Sequence, residues 1–152
     1  RQLPPWFENT GKRVVKSPKV YIRDSGILHS LLRVTRFKSL QEHPKLGASW
    51  EGFALEQILN RTGDRDAYFW ATQAGAELDL LLLRGGERYG FEVKHADAPR
   101  VTKSLRIAIG DLGLRRAFVV HPGASSFPLH ERVEALALRD VPTRLGSGAK
   151  PW

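Results

Sequence analysis

G-A-E-L-D-L-L-L-L-R-G-G-E-R-Y-G-F-E-V-K, residues 75–94, is the stretch on which the reading of this chain turns. An apolar run over 78–83 carries one acid, Asp79, and a second run ends in Glu92-Val93-Lys94. The turn-rich tetrapeptide Arg84-Gly85-Gly86-Glu87 between them predicts a hairpin. Strict alternation in the second strand sets Tyr89, Phe91 and Val93 on one face and Gly90, Glu92 and Lys94 on the other. Glu92 and Lys94 therefore point the same way, and a hairpin brings Asp79 towards them at one edge of the sheet. A carboxylate flanked by Leu78 and Leu80 is costly to bury unless a cation or strong donors compensate it.

Two converging acids and a lysine suit metal-assisted phosphodiester hydrolysis. Mg²⁺ takes oxygen ligands, keeps several waters and is commonly held by one or two carboxylates plus substrate phosphate oxygens. Asp79 and Glu92 meet that need as metal ligands for Mg²⁺ or Mn²⁺, and Lys94 suits the catalytic role of orienting water or stabilising charge on phosphorus. The plainer alternative is a solvated strand face bearing Glu92 and Lys94, with Asp79 inside a hydrogen-bond network.

Upstream, residues 47–60 read as a helix with Ser49 as N-cap. At about 100° per residue, Trp50, Ala54, Leu55 and Ile58 surround Glu51, which faces the core. Glu56 falls on the opposite, solvated side with Gly52 and Asn60. Glu51 is the second candidate catalytic residue, the alternative being an acid favoured in a first helical turn by the helix dipole.

Length and composition fit one soluble domain able to bury a core without staples, 152 residues at net charge +8. Disulfides and Cys-ligated zinc are excluded, because the chain has no cysteine; this fits a cytoplasmic location. No apolar run approaches a membrane span. The five histidines show no zinc-ligand spacing. Residues 146–150 are the one phosphate-loop-like stretch, and they lack the spacing and following hydroxyl of an ATP site. The charge is uneven: residues 1–47 hold ten Lys and Arg against three acids, and the remainder fourteen against thirteen. Lys12, Arg13, Lys16, Lys19 and Arg23, interleaved with Trp6, Phe7 and Tyr21, are candidate nucleic-acid contacts, DNA being the expected partner; a solvated basic surface is the alternative. The chain starts at Arg1, which is expected for a piece of a longer polypeptide.

Three segments follow: a basic N-terminal segment over 1–47, a core over 48–145 and a flexible tail over 146–152. Within them a short strand is expected over 19–23, a helix capped by Asp24 or Ser25 through about 33, and a loop over 37–47. After the 49–61 helix come strands at 67–71, 77–83 and 88–94, a helix at 101–111, a strand at 116–120 and a late strand at 132–138. The core order is α-β-β-β-α-β, an α/β (α+β) class with a mixed sheet flanked by helices.

On that order, Glu51, Asp79, Glu92 and Lys94 stand where the PD-(D/E)XK nuclease superfamily places its polar residues, and the chain resembles that superfamily. It is more closely similar to the uncharacterised domain found C-terminal to the ATPase module of many prokaryotic AAA+ proteins. S-P-K-V-Y-I-R-D-S-G-I-L (17–28), L-G-A-S-W-E-G-F-A-L-E (46–56), Y-F-W (68–70), G-A-E-L-D-L-L (75–81) and F-E-V-K (91–94) carry the likeness. The resemblance implies a restriction-endonuclease-like sheet, Asp79 and Glu92 as metal ligands, Lys94 as catalytic lysine, Glu51 as the helix acid, and an ATPase upstream as partner. Leu78 stands where the named motif has proline. The function implied is metal-dependent cleavage of nucleic acid, the alternative being a non-catalytic domain that binds nucleic acid or protein.

Overall fold

A computed structural model of the chain describes residues 1–7 and 17–146. The hairpin at its centre forms as the turn signal predicts. Strand β4 (Glu77–Arg84) pairs antiparallel with β5 (Glu87–Val93) through Gly85 and Gly86, whose φ angles are +60° and +81°. A two-residue hairpin turn requires positive φ at both central positions, which glycine adopts without steric cost.

The remaining elements are β1 (Gln2–Leu3), β2 (Lys19–Val20), α1 (Ser25–Leu31), α2 (Phe37–Gln41), α3 (Leu46–Thr62), β3 (Ala67–Ala71), α4 (Lys103–Asp111), β6 (Arg116–His121), β7 (Phe127–His130), β8 (Val133–Ala137), a 3₁₀ turn (Leu138–Asp140) and α5 (Val141–Arg144). Six strands form one mixed sheet in the order β3-β4-β5-β6-β8-β7. Strands β5, β6 and β8 run parallel, and both flanks are antiparallel. Helix α3 packs Leu55, Ile58 and Leu59 on one face, against Phe69, Leu80, Tyr89, Phe91 and Phe118. On the other face α4 packs Leu105, Ala108 and Leu112 against Trp70, Leu78, Leu81, Ala117 and Val119. This is the expected mixed sheet flanked by helices, with the α-β-β-β-α-β order intact.

Three local readings change. Helix α3 starts at Leu46, without a side-chain cap, so Ser49 lies inside it and meets His29 Nε2 at 2.7 Å. The expected loop over 37–47 contains α2, five residues with no side-chain cap and too short to show a period. Strand β7 escapes the sequence reading because Pro128 argues against a strand; the structure puts it at the sheet edge, where proline is tolerated.

The N-terminal segment covers the opposite edge. Trp6 N–H donates to Phe69 O at 2.7 Å and Phe69 N–H to Pro4 O at 3.0 Å, so residues 4–6 run beside β3. Beyond them β1 pairs with β2, Leu3 opposite Lys19, and Leu3 is buried in the α3-side core. Strand β2 is thereby held close to α3.

Gly90 in β5 leaves no room for a side chain without a shift of its neighbours. A Cβ there would lie 2.5 Å from Leu114 Cδ1 and 3.2 and 3.3 Å from the methyls of Leu78. Gly90→Ala is expected to lower stability by about 1–2 kcal/mol, since Leu114 ends in a movable methyl but Leu78 closes the other side. Urea denaturation checks this, and an unchanged midpoint would show that the layer between sheet and α4 has slack.

Candidate functional site

Asp79 sits where β4 bulges. From Tyr68↔Leu81 to Trp70↔Leu78, β3 advances two residues while β4 advances three, so β4 carries one extra residue. Leu78 therefore joins Leu81 on the α4 side, whereas Leu80 joins Leu82 on the α3 side. Such a bulge re-aims the side chain between them. The β4–β5 ladder extends from the turn to Leu80↔Phe91. Just beyond it, Asp79 Oδ2 accepts the Val93 N–H at 2.8 Å, the carboxylate bridging the strands where they part.

Glu92 and Lys94 share a face as alternation requires, with Lys94 Nζ 3.0 Å from Glu92 Oε1. Glu92 is buried and points to the α4 side, where the Thr102 hydroxyl reaches its two oxygens at 3.0 and 2.8 Å. That hydroxyl also caps α4, accepting the Leu105 N–H at 3.0 Å. Burial alone would depress Lys94, but the Glu92 bond and the fields of Glu92, Asp79 and Glu51 hold its ammonium above the ordinary range.

Glu51 is partly exposed and meets β2 and the residues after it. Tyr21 Oη donates to Glu51 Oε1 at 2.5 Å, and Lys19 Nζ lies 3.3 Å from the same oxygen. Lys19 also pairs with Glu77, and lies 3.7 Å from Asp79 Oδ1. Its ammonium thus stands among three carboxylates and over the Phe69 ring, 5.5 Å from the ring centroid. Burial and the Glu51 bond push the Tyr21 phenol upward, so it remains a donor.

Asp79 is the most perturbed acid of the group. Burial, followed by the field of Glu51, pushes its carboxyl up to about 6, against the pull of the Val93 N–H and Lys19. An acid raised by burial beside other acids is one whose ionised form gains from a further cation. Among the described residues no three His, Asp or Glu side chains are grouped to hold a metal ion unaided. Asp79 and Glu92 are hard oxygen donors suited to a cation that completes its shell with water and phosphate oxygens.

Sequence reasoning missed several residues around this group. Tyr21 and Glu77 bind Glu51 and Lys19, and Thr102 anchors Glu92; a threonine ahead of a helical period is a readable cap signal. Glu56 is buried rather than solvated, because the N-terminal segment packs on that side of α3 and supplies Arg1 and Arg23 as partners. Of the basic candidates, Lys19 is drawn into the acid group and Arg23 is 3.1 Å from Glu56. Lys12, Arg13 and Lys16 lie outside the described residues, as do residues 147–152 of the tail. His95 is exposed, its ring edge-on to Trp50 at 5.7 Å.

Residues 46–141 match the family described as Domain of unknown function (DUF4143). The chain belongs to that family. The DUF4143 match contains Glu51, Glu77, Asp79, Glu92 and Lys94, whereas residues 1–38, with Lys19 and Tyr21, match a second family, Domain of unknown function (DUF8612). The chain is 48% identical over 143 residues to uncharacterised protein Rv2008c of Mycobacterium tuberculosis and, at the same identity, to uncharacterised protein Mb2031c of Mycobacterium bovis. These alignments cover 94% of this chain and 32% of each relative, so the chain spans about a third of their length. No solved structure matches it. Among the described residues, no helix of this DUF4143 protein is long and apolar enough to cross a membrane.

Proposed function

We propose that this domain hydrolyses phosphodiester bonds of nucleic acid, DNA in the first instance, with Mg²⁺ or Mn²⁺ held by Asp79 and Glu92. The observation that carries the reading is the bond from the Val93 N–H to Asp79 where β4 and β5 part, which sets Asp79 beside the strand end that bears Glu92 and its partner Lys94, with Asp79 raised to about 6 by burial and by Glu51. A divalent ion bound there supplies polarisation of a phosphoryl oxygen and a more acidic water. Lys94 holds its proton and donates towards the attacking water or the charge developing on phosphorus. Glu92, anchored by Thr102, fixes the Lys94 ammonium. Glu51, fixed by Tyr21, would add a further carboxylate to the site from α3. The chain's covering a third of its relatives' length supports a longer polypeptide, in which, by the resemblance, the domain would serve an upstream ATPase module.

One observation favours a second reading, a binding domain without chemistry: Lys19 already neutralises part of the acid group. Incubation of supercoiled and single-stranded DNA, and of RNA, with Mg²⁺ or Mn²⁺ separates the two. The nuclease reading expects metal-dependent cleavage that chelation, Asp79→Asn and Glu92→Gln each abolish. DNA retained without cleavage at millimolar Mn²⁺ supports the binding domain, and cleavage surviving in Asp79→Asn overturns the assignment of the site.

A further inference from the structure

The acid group is met by a cation from another part of the chain. Glu51, Glu77 and Asp79 come from the region matched by one family, while Lys19, which sits among them, comes from the segment matched by a different one. The junction is held at two places along α3. Lys19 and Tyr21 engage Glu51, and Arg1 and Arg23 engage Glu56. The Tyr21 N–H donates to Arg1 O at 2.9 Å, tying the two grips together. Strand β2 itself is two residues long, and Val20 beside Lys19 is 71% exposed. Beyond its pairing with β1, whose Leu3 is buried, β2 is fixed over the site by the side-chain charges of Lys19 and its carboxylate partners.

We propose that Lys19 is an intramolecular counter-cation that a divalent ion must displace, which makes the N-terminal segment an occupancy switch for the carboxylate group. The proposal rests on the metal-binding reading above. At 3.3 and 3.7 Å from Glu51 and Asp79, an ammonium lowers the local negative potential that would draw a divalent ion, and it lies by Asp79 Oδ1 while the Val93 N–H takes Oδ2. Its stem is flexible and its side chain remains about a quarter exposed, so it can swing away without unfolding the sheet. Withdrawal of β2 would then raise metal occupancy.

The test is Mn²⁺ affinity, measured by calorimetry or by the electron paramagnetic resonance of free Mn²⁺. It uses wild type, Lys19→Met, Lys19→Arg, and Lys19→Met combined with Asp79→Asn. Methionine keeps an unbranched apolar side chain and removes the charge, with its ion pairs and its contact over Phe69. Lys19→Met is expected to bind at least tenfold more tightly than wild type, Lys19→Arg no more tightly, and the double variant not at all. Equal affinity of wild type and Lys19→Met, lost with Asp79→Asn, overturns the switch and leaves the metal site standing. No binding by either overturns both. A Lys19→Met chain that folds only with Mn²⁺ present supports the proposal, and one that folds under neither condition counts against it.

Discussion

Lys94→Ala is expected to lower metal-dependent cleavage by roughly 10²–10³-fold, the range seen when one preorganised donor to a transition-state charge is removed. Fold and metal binding should survive. Lys94 lies just past the end of β5, its side chain is 46% exposed, and its backbone N–H donates to Val120 O at 2.9 Å, a bond alanine retains. Glu92 loses one partner but keeps the Thr102 hydroxyl. The pair joins a half-exposed lysine to a buried Glu92, which would have the divalent ion as its cation, so the thermal midpoint measured in Mn²⁺ should move little. The informative pattern is a fallen turnover with Mn²⁺ affinity and melting preserved. Turnover equal to wild type would remove Lys94 from the chemistry.

Asp79→Asn is expected to stabilise the metal-free protein at pH 8 by about 2–3 kcal/mol, an order-of-magnitude figure from a carboxyl moved from 3.8 to about 6. Asparagine retains an oxygen that can accept the Val93 N–H, so the bridge between the strands remains. The sign follows from proton binding. Between about pH 4 and 6 the folded chain holds the Asp79 proton more tightly than the unfolded chain does, so this group costs stability as pH rises through that window. Wild type and variant should therefore converge near pH 4 and separate by pH 8. Urea titrations in chelator at the two pH values measure the difference. Mn²⁺ should then recover the lost stability in wild type alone. A gap of equal size at both pH values would mean that Asp79 is satisfied by its neighbours and needs no cation.

Much of the core was legible because its signals are local. The glycine pair in 84–87 specified the hairpin, and alternation in 89–94 put Glu92 and Lys94 on one side, where the 3.0 Å contact is found. Alternation failed in β4. Nothing in E-L-D-L-L-L-L marks an extra residue, and the bulge is visible only once β3 is paired beside it. Helical period also failed for Glu56, because a period shows one buried face and not a second face covered by a distant segment. For the same reason Lys19 read as part of a basic surface. Its partners Glu51, Glu77 and Asp79 are tens of residues away in sequence, and only the pairing of β2 with β1 carries it to them.

The account's central claim is a divalent ion between Asp79 and Glu92. Crystals soaked in Mn²⁺ and recorded at a wavelength where manganese scatters anomalously test it most directly, with Asp79→Ala crystals soaked in parallel. An anomalous peak within ligand distance of both carboxylates in wild type, absent from the variant, is the predicted result. Absence of any peak at millimolar Mn²⁺ from wild-type crystals and also from Lys19→Met crystals, in which the competing ammonium is gone, would contradict it.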